Sequence, residues 1–185
     1  MSVQDTEAPM LDFESAAETP RAPAAGAQAG RPRWASLSAV VLDAVWTPGT
    51  SHGRVVVPLV HRVLGPAASG PMTTTELPAT DSHPLPRLLA RFPDAPALEE
   101  AAQNRQRTST RGGVPKAEAV LRVARILVAH GLLGVDDLPR VLADPAAMSR
   151  IDRALRGVPG EGEHGSRRHR LWQLCAAGQG LTPAG

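Results

Sequence analysis

Cys175 is the only cysteine in 185 residues, which excludes an internal disulfide framework and a cysteine-rich metal site. Tyrosine is absent, and two Phe and three Trp are the only aromatics. The core must therefore come from Leu, Val and Ala; Ala- and Leu-rich segments favour helices, where these side chains lose little rotamer freedom. No apolar run is long. The longest, around 39–46 and 55–60, fall well short of the roughly 20 residues a membrane-spanning helix requires. The N-terminus is acidic and has no apolar signal segment, so the expectation is a soluble cytoplasmic protein with no membrane partner. Lysine is also scarce, Lys116 standing alone among arginines.

A net charge of +2 excludes little, but its distribution is uneven. Residues 1–33 carry Asp5, Glu7, Asp12, Glu14 and Glu18 against Arg21, Arg31 and Arg33. They are rich in Ala, Gly and Pro and lack apolar periodicity, so they predict a disordered acidic tail. Residues 105–125 carry Arg105, Arg107, Arg111, Lys116, Arg122 and Arg125 against Glu118 alone. A local excess of this kind attracts a polyanion by releasing its counterions, and it is equally the signature of a solvated helix face.

From Trp34 onward the pattern is helical. Leu37, Val40, Val41 and Ala44 form an i, i+3, i+4, i+7 stripe within 34–46, ended by Thr47-Pro48-Gly49-Thr50. Residues 55–64 predict a helix with Pro58 near its first turn, because a proline would leave a gap in a central strand. Short helices are predicted at 84–92 and, opened by Pro96, at 96–104. The polar stretch 105–115 reads as an exposed basic loop. A long helix from Pro115 to His130, closed by Gly131, has the narrow polar stripe Glu118, Arg122 and Arg125 and should be central. Helices at 136–143, 146–156 and 164–177 follow, the last with Leu171, Leu174 and Cys175 inward. The expectation is an all-α single domain over 34–185.

Between the last two helices lies Val158-Pro159-Gly160-Glu161-Gly162. Gly160 and Gly162 can adopt backbone angles closed to other residues, and their amides at a helix N-terminus suit a phosphate oxygen. Contacts of that kind grip a backbone and specify no base. The same residues also suit a tight turn between packed helices.

The hairpin together with Lys116-Ala117-Glu118-Ala119-Val120-Leu121, about forty residues upstream, resembles the helix-hairpin-helix core of the endonuclease III DNA glycosylase superfamily. Arg107-Thr108-Ser109-Thr110-Arg111-Gly112-Gly113 strengthens the likeness to members without an iron–sulfur cluster. The resemblance covers about 150 residues and implies an incomplete glycosylase-like domain that binds duplex DNA without regard to sequence. It implies DNA contacts from Val158, Pro159, Gly160, Glu161, Gly162, His164, Arg167, Arg168 and Arg170, and from Arg105, Arg107, Arg111 and Lys116.

The resemblance does not extend to the family's catalytic groups. His164 occupies the register position of the Schiff-base lysine, and an imidazole cannot form that imine. The segment that would hold the catalytic Asp lies beyond Gly185. No catalytic residue is assigned. The six His are scattered, and no phosphate or dinucleotide fingerprint occurs, so neither a metal nor a cofactor is expected. The domain should also leave Leu171, Trp172 and Leu174 as an apolar face for a protein partner. Three readings compete: a DNA-backbone-binding protein without autonomous catalysis, an active glycosylase on a damaged or mismatched base, and a helical interaction module.

Overall fold

A computed structural model describes residues 34–70, 80–161 and 165–179. The predicted acidic tail, Gly162 and His164 lie outside the described residues. The described residues form eight α-helices: α1 Leu37–Trp46, α2 Val57–Leu64, α3 Leu85–Arg91, α4 Ala95–Ala102, α5 Lys116–Ala129, α6 Leu138–Leu142, α7 Pro145–Leu155 and α8 Ser166–Gly178. Among the described residues, β structure is limited to two isolated bridges, Trp34 with Ser69 and Arg107 with Pro115. The fold is all-α.

Local signals set most helix ends. Asp94 caps α4 by accepting the Ala97 amide, and Asp144 caps α7 by accepting those of Ala146 and Ala147, each satisfying amides that have no partner within the helix. Pro58, Pro96 and Pro145 sit in first turns, where the missing N–H costs nothing. A π-helical turn at His52–Val56 leads into α2, so the chain enters that helix wider than a simple cap would allow.

α1 and α5 form the centre. α5 packs on α1, α3, α4 and α7, while α1 packs on α2, α3, α5 and α8. α5 buries Ala117, Ala119, Val120, Leu121, Val123, Ala124 and Leu127 and turns Arg122 outward to Glu118, 2.7 Å away. α1 departs from expectation: all ten of its residues are buried, not only the predicted stripe. Its neighbours surround it, so Ser38 and Asp43 are enclosed along with its apolar side chains.

The N-terminus of α1 is held from a distance. Asp81 Oδ2 accepts the amides of Leu37 at 2.9 Å and Val135 at 3.1 Å, and Oδ1 accepts that of His83 at 2.8 Å. Asp81→Ala would leave the Leu37 and Val135 amides buried without partners, at about 1–3 kcal/mol each. The urea midpoint should fall with an unchanged slope; a midpoint equal to wild type would show that the amides find other partners.

The apolar face expected at the C-terminus is covered. Leu171 is 2% exposed and Cys175 is buried, while Trp172 and Leu174 pack partly buried against the core. α8 lies along α1, so these side chains already have an intramolecular partner. Among the described residues Leu133 is the large hydrophobic side chain left exposed. No described helix is long and apolar enough to cross a membrane.

Candidate nucleic-acid interface

The basic loop 105–115 is an ordered turn. Its two ends pair through Thr108 N–H to Val114 O at 2.8 Å and Lys116 N–H to Gln106 O at 2.7 Å. The Thr108 hydroxyl accepts the Val114 amide at 3.0 Å, and the Arg107 guanidinium donates to the Gly113 carbonyl. Gly113 is dictated by space, since a Cβ there would lie 2.6 Å from Ser109 Oγ and 2.7 Å from its carbonyl oxygen. Arg105, Arg107 and Arg111 are all exposed, although one end of the Arg107 guanidinium is held by the loop itself.

Far away in sequence, the hairpin turns at Gly160 with φ +88°, in the region that favours glycine. Gly160 is exposed, and its N–H has no partner among the described residues. It packs directly on the basic loop: a Cβ at Gly160 would lie 2.6 Å from Thr108 Cβ and closer still to the hydroxyl. Arg167 joins the two segments from behind. Nη1 donates to Gly160 O at 2.5 Å and Nη2 to Thr108 O at 2.6 Å.

Several predicted DNA contacts are engaged inside the protein. Lys116 is 3% exposed. Its ammonium donates among Trp46 O, Pro48 O, Thr50 Oγ1 and Gln106 Oε1, all within 3.2 Å. Burial, with the nearby Arg167 charge added, lowers its pKa to about 8. Lys116 thus fastens the basic loop to the end of α1 and leaves no hydrogen for a phosphate. Arg167 is 6% exposed and equally enclosed. Arg168 pairs with Asp152 at 3.1 Å and Arg170 with Asp43 at 3.2 Å. These two arginines are committed to binding α8 to α7 and α1. The positive charge of Arg167, Arg168 and Arg170 is largely balanced within the fold.

Glu161 points inward as well. Its Oε2 accepts the Arg168 amide at 3.1 Å, so the carboxylate lies at the N-terminus of α8, where the helix dipole favours it. Burial raises its pKa, opposed by that amide and by Arg167 and Arg168. Val158 is buried, whereas Pro159 is half-buried beside Gly160. The hairpin residue left exposed is therefore Gly160, and the loop it packs on carries the exposed Arg105, Arg107 and Arg111.

Sequence reasoning missed Asp43. It is 0% exposed in α1 and accepts from Trp34 Nε1 at 2.7 Å, Thr47 Oγ1 at 2.8 Å, His52 Nε2 at 2.6 Å and Arg170 Nε at 3.2 Å. Burial would raise its pKa, but Arg170 leads a set of partners that hold it below the ordinary carboxylate value. The signal was one acid inside the apolar run LSAVVLDAVW. Among the described residues, no three His, Cys, Asp or Glu side chains are grouped to hold a metal.

No curated protein and no solved structure is significantly similar to the chain. Residues 13–183 match the model of a family described as a domain of unknown function (DUF8548), and the chain belongs to that family.

Proposed function

We propose that this domain binds the backbone of duplex DNA through its hairpin and basic loop, as a non-catalytic relative of helix-hairpin-helix base-excision glycosylases. The observation that carries this reading is the direct packing of Gly160 on Thr108. It joins an exposed glycine of the hairpin to a loop that carries three exposed arginines. Amides and arginines are the usual donors to phosphate oxygens, and neither set reads a base from this arrangement.

The surface also bears on the kind of strand. Neither 105–115 nor 158–161 contains an aromatic residue. Single-strand binders gain much of their affinity by stacking bases on aromatic rings. A duplex, with its bases already stacked and its phosphates regularly spaced, matches this surface better. The relation to glycosylases rests on the sequence resemblance. No assigned catalytic group supports turnover.

The test is fluorescence anisotropy with duplexes of unrelated sequence. If Arg105, Arg107 and Arg111 each neutralise one phosphate, the salt slope should be about −2.7. Affinity would then fall roughly 40-fold between about 50 and about 200 mM salt, alike for every sequence. No binding at the lower salt, or a strong sequence preference, would sink the proposal.

A further inference from the structure

We infer that Arg167 is a positioning residue that makes the hairpin and the basic loop engage a duplex as one unit, an inference resting on the backbone-binding reading above. Arg167 is too deeply buried to touch a phosphate, at 6% exposure. Its planar fork instead spans two carbonyls from separate segments, Gly160 O at 2.5 Å and Thr108 O at 2.6 Å. The Glu161 carboxylate, 4.0 Å from Nη1, balances its charge. Thr108 fills the space where a side chain at Gly160 would stand, so the segments are in contact and are also bridged.

The effect on binding follows from tethering. Two weak phosphate-binding elements held in fixed relation bind the second phosphate as an intramolecular event, without searching for it. Elements free to move apart lose that gain. Lysine would not substitute, because a single ammonium lacks the rigid pair of donors that reaches both carbonyls.

A double-mutant cycle with Arg111 tests this by its effect on the salt slope. In the otherwise wild-type chain, Arg111→Ala should reduce the slope by about 1, as one phosphate contact is lost. In Arg167→Met, and in Arg167→Lys, the loop is no longer held beside the hairpin. Affinity should fall, and Arg111→Ala should then remove little more. Equal losses from Arg111→Ala in all three backgrounds would overturn the inference while leaving DNA binding intact.

A measurement on the unmodified chain covers the case in which the Arg167 variants fail to fold. Hydrogen exchange should slow at the Thr108, Val114 and Glu161 amides together, with one dependence on duplex concentration. Protection of one segment without the other would overturn the inference. Absence of wild-type binding would remove the backbone-binding reading itself, and the inference with it.

Discussion

Asp43→Asn is expected to lower the melting temperature by roughly 10 °C, on the basis of about 3–5 kcal/mol for breaking a buried ion pair and about 2–4 °C per kcal/mol for a domain near this size. The carboxylate is fully enclosed and meets four donors from Trp34, Thr47, His52 and Arg170. An amide is nearly isosteric, so packing is preserved. Its NH2, however, places donors against donors, and it removes the charge that balances Arg170. The guanidinium is only slightly exposed, at 14% of its side chain, and cannot regain water without moving α8 from α1.

The pH dependence has a definite sign. Partners hold the folded-state pKa of Asp43 below its ordinary value, against the opposing effect of burial. The stabilisation is therefore complete above the unfolded-state pKa of about 3.9 and is lost as pH falls through the lower folded-state value. Thermal melts followed by circular dichroism between about pH 2 and about pH 7 should show a shallower acid limb in Asp43→Asn than in wild type. A variant that melts with wild type at neutral pH would show that the network contributes no net stability.

The helices were legible because their signals are local. Pro58 and Pro96, and the apolar periods of α1 and α5, lie within the elements they define. The Asp43 network was not legible, since Arg170 lies 127 residues away in sequence and no spacing rule connects them. The pairing of the α8 arginines was hidden for a related reason. Arg105 and Arg167 look alike in sequence, yet one is exposed and the other is enclosed behind the hairpin. Only the tertiary positions of Asp43, Asp152 and Glu161 determine which arginines remain available. Similarly, a lone lysine beside a basic loop suggests phosphate binding, and nothing local reveals the carbonyls of Trp46 and Pro48 that occupy it.

The hairpin reading makes its strongest demand on Gly160. Gly160→Ala adds only a methyl group, but φ is +88° and the new Cβ would stand 2.6 Å from Thr108 Cβ. Left-handed backbone costs a non-glycine residue about 1–2 kcal/mol, and overpacking a tight contact about 1–3 more. Thr108 cannot turn aside cheaply: its amide, carbonyl and hydroxyl are bonded to Val114 O, Arg167 Nη2 and Val114 N–H. The loop must move as a body, carrying Arg107 and Arg111 away from the hairpin. We therefore expect a fall of roughly 10 °C in melting temperature, taking about 3 kcal/mol in total, together with weaker DNA binding on every sequence. Gly157→Ala is the control, since its Cβ would meet only Ala154 O at 3.4 Å, an ordinary contact; it should stay within about 0.5 kcal/mol of wild type. Adding Thr108→Gly to Gly160→Ala would separate the two costs, because it clears the space without changing φ at position 160. If Gly160→Ala binds duplex DNA as wild type does, the hairpin is a turn between helices and the basic loop must act without it.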